Sequence, residues 1–385
     1  MKLRSQPKDF IVEEIPLRSM QITAKEGPFR IYKVTKTGIE TFALLGQLSR
    51  GFRIPLHDLG IAGLKDKHAI TTQYLSVPAK YKISELSDPD LKISFLGHAQ
   101  ERIRFGDLEG NHFEITVRDL RQKQIDEVRQ QITQRADIPN YFDSQRFGSV
   151  INRIFIGRFL LNNQYEQAMK FFLTTYNPSD SRKTKDDKEQ IKLKWDSFEG
   201  IKLHTRQFTA IIDRYQKTKD WRQAYETLPS ALREMHLSAY QSYLWNECVK
   251  KVFLSVVPNK ETFTTEYACG SLLFFKKLTD SERKQLTGTF PYIGKGMDAT
   301  PKERAIIDAV LAKEKLSAEA FMTNTHTDKF FSGGQRPLLM SISDVQLLET
   351  GNDERAKEPR KKATLSFTLP KGAYATVVIK HLFRA

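Results

Sequence analysis

The alternation of apolar and polar residues predicts that the chain begins with β-strands. Residues 9–16 (DFIVEEIP) partly alternate and end at a proline, and residues 29–38 (FRIYKVTKTG) place apolar residues among basic ones before a glycine. Runs of this kind, bounded by proline or glycine, are typical of strands. We expect further strands on both sides of residues 63–73 and within residues 91–117.

Other segments carry apolar residues at the three- and four-residue spacing that predicts amphipathic helices. Phe42, Leu45 and Leu48 mark one such helix, and a basic helix is expected after residue 120. Residues 232–253 (LREMHLSAYQSYLWNECVKKVF) form the strongest predicted helix. Its apolar stripe is typical of core packing.

The pattern changes along the chain in a way that predicts an interrupted domain. Residues 152–340 are mainly helical, whereas residues 363–383 return to β character and are interpreted as a pair of strands. Runs of low hydrophobicity at 178–190 and 350–362 predict loops. The sequence therefore predicts an α+β protein in which a mainly helical segment is inserted into a mixed domain.

Composition adds the size and the class of the protein. A length of 385 residues favours two domains, and 39% hydrophobic with 28% charged residues is typical of globular proteins. No run approaches the roughly 18 apolar residues of a membrane span. The two cysteines, Cys248 and Cys269, are too few for a disulfide framework or a structural zinc site. Without an apolar signal segment at the N-terminus, a reducing, cytoplasmic location is expected.

The charge of the chain favours a polyanionic partner. The net charge is +15 and the sequence pI is about 9.5. Nucleic acid is the commonest partner of such a chain, because each phosphate contact releases counterions. A general solubility role for the charge is the alternative. The 25 phenylalanines and 13 tyrosines also offer faces on which bases can stack.

Cofactor and metal motifs are absent from the sequence. There is no G-x-G-x-x-G after a strand and no G-x-S-x-G elbow, and the eight histidines show no metal-ligand spacing. Residues 288–296 (GTFPYIGKG) differ from a P-loop in spacing and place Gly296 where Ser or Thr is needed. We therefore expect no cofactor and no metal, and chemistry that relies on ordinary side chains.

Short segments spread along nearly the whole chain match one family in order. They are KDFIVEE (8–14), GLKDKHAITTQ (63–73), NYFDSQRFG (140–148), LSAYQSYLWN (237–246), GGQRPL (333–338) and LPKGAYAT (369–376). This set resembles the TruD family of tRNA pseudouridine synthases.

The resemblance implies a fold, a reaction and a partner. The fold is a pseudouridine synthase catalytic domain, 1–151 plus 341–385, with a mixed, largely antiparallel sheet around a cleft, interrupted by a mainly helical TRUD insertion domain at 152–340. The reaction isomerises a uridine of tRNA, at position 13 in this family, without a cofactor. The partner is tRNA, with other RNAs left open, and the expected protein is a cytoplasmic monomer.

Asp66 matches the catalytic aspartate of the family. Read by itself, it is equally well a solvated carboxylate in a charged turn between two apolar strands. An ionised carboxylate can act as a nucleophile or assist the departure of uracil. The sequence does not distinguish attack at the sugar from attack at the base.

Several residues are expected to hold the substrate. Exposing a paired uridine costs a few kcal/mol, and stacking on an aromatic ring recovers about 1–3 kcal/mol for each base. The matching motifs assign this contact to Phe10, Phe142 and Phe367. Asn140 carries an amide that can pair with the edge of uracil. For Phe142 in particular, core packing is the alternative.

Basic residues in the motifs are expected to hold Asp66 or the phosphates. Arg146 and Arg4 are candidates for an ion pair with Asp66, or else for phosphate contacts. Lys65 and Lys67 are interpreted as phosphate contacts, with solvated surface lysines as the alternative.

Two segments depart from the family motifs, and one motif residue is expected to have a structural role. Asp143 follows NYF where the family often has glycine, and the C-terminal VIKHLFRA lacks the expected Arg-Glu. Arg336 is expected to hold a fixed turn.

Two other functions compete with the isomerase. A catalytically silent RNA-binding protein or RNA chaperone has no need of Asp66, which here stands in an intact GLKD loop. A methyltransferase is disfavoured by the missing glycine-rich turn after a strand.

Overall fold

The computed structural model describes residues 1–23, 25–132, 137–323 and 332–384. The chain folds into two compact units. Met1–Ile138 and Met340–Ala385 form the sheet unit, and Pro139–Leu339 form the helical unit. The chain thus enters the helical unit before the predicted boundary at 152, so that the motif at 140–148 belongs to it. The extent of the TRUD domain itself stays a prediction.

The elements follow in chain order. The strands are β1 Phe10–Pro16, β2 Phe29–Thr37, β3 Gly60–Ile61, β4 Ile70–Pro78, β5 Leu86–Asp88, β6 Leu91–Ala99, β7 Leu108–Leu120, β8 Ile138–Pro139, β9 Thr262–Tyr267, β10 Gly270–Phe275, β11 Thr289–Tyr292, β12 Gly334–Pro337, β13 Leu339–Met340, β14 Ser343–Asn352 and β15 Lys361–Pro370. The helices are α1 Thr41–Phe52, α2 Gln122–Ile132, α3 Ile156–Leu161, α4 Tyr165–Thr174, α5 Arg182–Leu193, α6 Arg206–Thr218, α7 Trp221–Glu226, α8 Ser230–Val256, α9 Asp280–Leu286, α10 Pro301–Lys313, α11 Ala320–Thr323 and α12 Ala375–Phe383.

The sheet unit is built on one sheet that is mainly antiparallel. Its order is β14–β15–β7–β1–β4–β2–β6–β5, with β3 paired to β4. Among the described residues, β1 and β4 are the one parallel pair of this sheet. The predicted α+β class with a mixed, largely antiparallel sheet is confirmed. The N-terminal strand β1 therefore lies in the middle of the sheet, next to the strand that follows residues 62–69.

The sheet is covered by helices whose apolar faces match it. Leu44, Leu45 and Leu48 of α1 are buried in a cluster with residues of β2, β4 and β6. The helix begins at the Glu40 side chain, which accepts a hydrogen bond from the Ala43 amide at 3.0 Å. Such a cap satisfies an amide that has no partner within the helix. The predicted helix is confirmed, and so is the burial of Leu45 and Leu48, but Phe42 of the predicted stripe is 58% exposed and Leu44 is buried instead.

The C-terminal segment differs from its prediction as a pair of strands. β15 is a strand that ends at Pro370, but Ala375–Phe383 form the helix α12. Val378, Ile379 and Leu382 are buried, and their spacing is that of a helix face. The β-branched residues of the segment suggested a strand, and packing of α12 against α2 overrides that preference.

The helical unit is organised around α8, which confirms the strongest helix predicted from sequence. Its buried face includes Tyr240, Leu244 and Trp245, and it packs against α3 and α10. The Trp245 indole donates to the Phe290 carbonyl at 3.0 Å, so the polar edge of a buried ring is satisfied.

The predicted loop at 178–190 is wrong for most of its length, because residues from Arg182 onwards form α5. Ser181 accepts a hydrogen bond from the Thr184 amide at 3.1 Å and so caps the helix. The fully buried Asp187 accepts from the amides of His204 and Thr205 at 2.9 and 2.8 Å. These contacts stabilise a helix that has few apolar residues. The low hydrophobicity of this segment was therefore misread as a loop, because hydrogen bonds to Asp187, and not apolar contacts alone, stabilise the helix.

In the part of the chain that the structure describes, no helix combines the length and the apolar character needed to cross a membrane.

Candidate active site

Asp66 lies in the loop of residues 62–69 between β3 and β4, which we call the Asp66 loop. Its carboxylate Oδ2 is 2.9 Å from Nη2 of Arg4, and the two side chains are 31% and 22% exposed. A charge-assisted contact of this length orients the carboxylate. The structure thus brings together two of the residues selected from sequence.

Arg4 reaches Asp66 from an uncommon backbone conformation. Its φ is 56°, in the left-handed region that costs a non-glycine residue about 1–2 kcal/mol. Its guanidinium lies 4.1 Å above the centre of the Phe10 ring, within the range of a cation–π contact. Arg4 is therefore held between an aromatic ring and a carboxylate, and these contacts offset the backbone cost.

The backbone of the Asp66 loop is fixed by a buried lysine and a threonine. Lys36, at the end of β2, is 1% exposed, and its Nζ donates to the Ile39 carbonyl at 2.6 Å and to the Lys65 and Asp66 carbonyls at 3.4 Å each. The Thr41 hydroxyl accepts from the Lys65 amide at 3.0 Å and donates to its carbonyl at 3.2 Å. Burial lowers the pKa of Lys36. These contacts hold the main chain while Arg4 holds the side chain.

Lys65 occupies a position that does not fit its predicted phosphate contact. Its Nζ lies 2.6 Å from Glu14 Oε1, and the two side chains are 8% and 1% exposed. The other Glu14 oxygen accepts from the Tyr74 amide at 3.0 Å. A buried carboxylate needs such a partner, since leaving one member of a buried pair alone is strongly destabilising. The interpretation of Lys65 as a phosphate ligand is thus corrected to that of an internal ion pair.

The aromatic residues of the sheet unit form a packed row instead of an open platform. Phe113 lies 6.1 Å from Phe10 edge-on and 5.7 Å from Phe367 in a stacked arrangement, measured between ring centres. Phe10 is 4% exposed and Phe367 is fully buried. The expectation that these two rings present free faces is therefore not met in this conformation, because β1, β7 and β15 pack them on one another. The directly paired positions of Phe113 and Phe367 account for the stacking.

A buried ion network, which sequence reasoning missed, anchors the residue before Phe10. Arg118 is 2% exposed and binds both carboxylate oxygens of Asp9, at 2.9 and 3.0 Å. Its Nη1 also donates to Asp353 at 2.8 Å and to Glu354 at 3.1 Å. The hydrogen bonds that Arg118 donates to Asp9 raise the pKa of its guanidinium above the usual value. Charged residues at the end of apolar strands were the available signal, but their pairing depends on strand order.

In the helical unit, Asn140 and Arg336 form a bidentate contact. Arg336 Nε donates to the Asn140 backbone carbonyl at 2.7 Å, and Nη2 donates to the Asn140 side-chain oxygen at 2.8 Å. The guanidinium also lies 4.2 Å above the Phe142 ring. Arg336 stands in β12, so its predicted role in a fixed turn becomes a role in orienting the NYF motif.

Phe142 is held by its backbone and by aromatic neighbours. Its amide donates to Asn246 Oδ1 at 3.0 Å, and its carbonyl accepts from Asn246 Nδ2 at 2.9 Å. Its ring packs edge-on against Trp245 at 5.6 Å, and the residue is 7% exposed. The packing alternative raised for Phe142 therefore describes its state in this structure.

Arg146 takes a different place from the one first suggested for it. Its Nε donates to the Ser242 hydroxyl at 3.1 Å, and its guanidinium lies 5.7 Å from the centre of the Phe142 ring. Of the two arginines proposed as partners of Asp66, Arg4 is the one for which the structure gives an ion pair. Asp143, which follows NYF where the family often has glycine, is also buried.

Comparison with known proteins identifies the family. The sequence model described as tRNA pseudouridine synthase D (TruD) matches residues 1–382. The chain belongs to the TruD family. The resemblance read from the short motifs is thereby confirmed, and the protein is an isomerase that converts uridine to pseudouridine in tRNA.

Named relatives and a solved structure match this TruD protein over its length. The probable tRNA pseudouridine synthase D 2 of Methanocaldococcus jannaschii is 37% identical, over 100% of this chain and 92% of the relative. The tRNA pseudouridine synthase D of Aquifex aeolicus is 29% identical, over 100% and 98%. A crystal structure described as TruD from Methanosarcina mazei gives a TM-score of 0.72 at 26% identity, covering 100% of this chain and 93% of that one.

Within residues 1–23, 25–132, 137–323 and 332–384, this TruD protein has no candidate metal site. No group of three or more His, Cys, Asp or Glu side chains there is arranged to hold an ion. Near Asp66 the structure places Arg4, which rests on the Phe10 ring, and the buried Lys36.

Proposed function

We propose that Asp66 is the catalytic residue of this tRNA pseudouridine synthase. The observation that carries the proposal is the Arg4–Asp66 ion pair on a loop whose main chain is held by Lys36. A loop carboxylate that only capped a turn would have no need of a strained arginine beside it. The arrangement suits a carboxylate that must attack in one direction.

The reaction is an internal transfer whose atoms balance without a co-reactant. The bond from the ribose C1′ to N1 of uracil breaks, the base turns, and a bond forms from C1′ to C5. The C5 proton is lost and N1 gains a proton. Asp66 acts at the sugar or at the base as nucleophile, and in both cases its departure regenerates the free carboxylate. No cofactor is required by this scheme.

Arg4 acts as a positioning residue for Asp66. Its guanidinium fixes the rotamer of the carboxylate. Because the same guanidinium rests on Phe10, the position of Asp66 depends on the aromatic row behind it. Phe10 and Phe367 then support the site from within, and they contact the substrate only if their packing opens when tRNA binds.

The uridine is proposed to leave the RNA helix before it reacts. Extrusion costs a few kcal/mol, and the enzyme recovers it through stacking and contacts to the uracil edge. Asn140 is the proposed contact to the uracil edge, and Arg336 orients it. Phe142, whose ring is packed against Trp245 and Arg336, contacts the base only if that packing opens. The names of the relatives specify tRNA, and position 13 is our proposed target within it.

Replacing Asp66→Asn tests the catalytic assignment. The amide is close to the carboxylate in size but cannot act as a nucleophile, so we expect a folded variant that binds tRNA and forms no pseudouridine. The exposed Asp90 in the turn between β5 and β6 provides the matched control, and Asp90→Asn should retain full activity. Normal turnover by Asp66→Asn would show that another group does the chemistry.

The proposed target site needs a separate measurement. Pseudouridine is mapped in RNA from cells with and without this protein, and we expect loss of the modification at position 13 of tRNA. A silent RNA-binding protein would leave the map unchanged. Loss at a different uridine would retain the isomerase and correct its target.

A further inference from the structure

An exposed apolar pocket lies beside the Asp66 loop on the sheet unit. Its volume is about 520 Å³, within the range of sites that hold a small molecule or one nucleoside. The lining side chains that are most exposed are Phe105 at 74%, Phe42 at 58%, Leu56 at 53% and Leu64 at 50%. Clustered large apolar side chains with this exposure mark interaction sites more often than scattered ones do.

The pocket is continuous with the Asp66 loop. Leu64 belongs to that loop, two positions before Asp66. The turn that carries Phe105 is bonded to the same loop, since the Gly106 amide donates to the Ala62 carbonyl at 2.7 Å. A ligand of the loop can therefore extend into the pocket without leaving the sheet unit.

Hydrogen bonds hold the Phe105 turn in place although its ring is exposed. The Arg104 amide donates to Asp107 Oδ2 at 2.7 Å, and the Asp107 amide donates to the Arg104 carbonyl at 3.0 Å. The Ile103 amide donates to the Ser76 hydroxyl of β4 at 2.9 Å. Fixing the backbone before binding lowers the entropy cost of using the ring as a contact.

The charges around the pocket favour an anionic ligand with a flat apolar part. Arg102 and Arg104 line it, and none of its lining residues that the structure describes is acidic. Arg102 is held by the Leu59 carbonyl at 3.2 Å, whereas Arg104 is exposed. Aromatic rings next to guanidinium groups are the usual means of binding unpaired nucleotides, since bases stack on the rings and phosphates meet the cations.

We propose that this pocket is a second base subsite, which holds an unpaired nucleobase of the substrate tRNA other than the uridine that reacts. The inference rests on the proposed function, because it takes the Asp66 loop as the place where tRNA is bound. The subsite contributes to binding and not to chemistry. The apolar lining provides stacking without reading the edge of the base, so the subsite tolerates different bases.

The test measures tRNA binding and single turnover with purified enzyme and a tRNA transcript. Because no other protein is present, any loss of binding reports on the contact with tRNA. For Phe105→Ala and Phe42→Ala we expect the Kd for tRNA to rise by about 5- to 150-fold. The single-turnover rate at saturating tRNA should remain that of the wild type. Leu193→Ala, which removes a 77% exposed leucine of the helical unit, is the control and should leave both values unchanged.

Conservative variants separate base stacking from a general apolar contact. Phe105→Trp keeps a ring and should bind tRNA as the wild type does, whereas Phe105→Leu should bind as weakly as Phe105→Ala. If Phe105→Leu binds tRNA like the wild type, base stacking on this ring is overturned and the base subsite is wrong. Arg104→Gln should reduce the slope of log Kd against log salt by about one.

The outcome for this subsite is distinguishable from that for Asp66. If Phe105→Ala and Phe42→Ala bind tRNA normally, the subsite is wrong, while loss of pseudouridine formation in Asp66→Asn still supports the proposed function. If Asp66→Asn keeps normal turnover but Phe105→Ala and Phe42→Ala lose tRNA binding, the proposed function fails and the subsite stands. A slower single-turnover rate with unchanged Kd overturns the subsite.

Discussion

At the scale of single residues, Arg4 shows how a site can depend on a strained position. Its left-handed backbone is tolerated because the side chain meets both Asp66 and Phe10. Conformations of this kind persist where the surroundings over-determine them. We therefore regard Arg4 as the residue on which the direction of the Asp66 carboxylate depends.

Arg4→Gln should lower the single-turnover rate by about 10- to 100-fold, the order expected when a hydrogen bond to a charged group is lost. The Kd for tRNA should change little, because the contact is internal to the protein. Arg4→Lys should restore part of the rate, since it keeps the charge but not the planar group. Arg18→Gln, at a 93% exposed arginine paired with Glu109, is the control for loss of one positive charge. An equal effect of Arg4→Gln and Arg18→Gln on Kd alone would assign Arg4 to phosphate binding.

At the scale of elements, the Asp66 loop is held from β2 by one lysine. Lys36 is buried where strand β2 ends. Its ammonium donates hydrogen bonds to carbonyls of the loop and of the segment that leads to α1. A single ammonium thus joins three parts of the sheet unit. The cost of its burial is offset by these oxygen ligands, and burial lowers its pKa.

Lys36→Met keeps most of the length of the side chain but removes the donor. We expect a loss of stability of about 1–3 kcal/mol, because buried carbonyls lose their partner, and a lower single-turnover rate because the loop relaxes. Unfolding by urea and single-turnover kinetics measure the two effects. Lys92→Met on β6, an exchange at a less buried lysine, is the comparison. A variant that loses stability but keeps the full rate would show that the clamp has no role in positioning Asp66.

The elements also show how far the sequence could predict the fold. The strands before residue 120 and helices α1 and α8 were recognised because one face of each is apolar. α5 was missed because Asp187 and Ser181, not apolar residues, hold it. α12 was predicted as a strand because its valines favour that state. Its packing against α2, which the sequence does not show, stabilises the helix instead.

The site was predictable where a motif carries it and not where the topology assembles it. Asp66 and Asn140 stand in recognisable segments. Arg118 pairs with Asp9 and Asp353 across more than 100 and 200 positions of sequence, and Glu14 meets Lys65 between strands. Ion pairs between residues so far apart in sequence cannot be predicted from residue spacing. The rings of Phe10 and Phe367 were assigned to the substrate by the matching motifs, and the sequence gives no measure of their burial.

At the scale of the whole molecule, each unit contains a buried histidine that should make the fold sensitive to acid. His236 on α8 and His381 on α12 are 2% and 5% exposed, and burial lowers the pKa of each to about 4. The unfolded chain binds protons on these residues near pH 6.5. Between pH 6.5 and 4 the unfolded state therefore binds more protons than the folded state does.

Stability should consequently be highest above pH 6.5 and fall as the pH drops towards 4. Each histidine accounts for a loss of about 3 kcal/mol when the transition is complete. Urea unfolding at a series of pH values measures the slope, and His236→Gln should flatten part of it. His57→Gln, at a side chain that is 83% exposed, should leave the slope unchanged. A stability that does not change between pH 6.5 and 4 would contradict the assignment of these histidines as neutral and buried.

The position of β15 beside β7 has a consequence for the synthesis of the chain. Lys361 of β15 pairs with Leu120 of β7, and the whole helical unit is translated between them. At about 5–20 residues per second, the edge of β7 stays without its partner for about 10–50 s on the ribosome. An open strand edge is a site for wrong pairing, so this interval is when the nascent chain is most exposed to aggregation. Because Phe367 arrives with β15, the row of rings behind Arg4 is completed only at the end of translation.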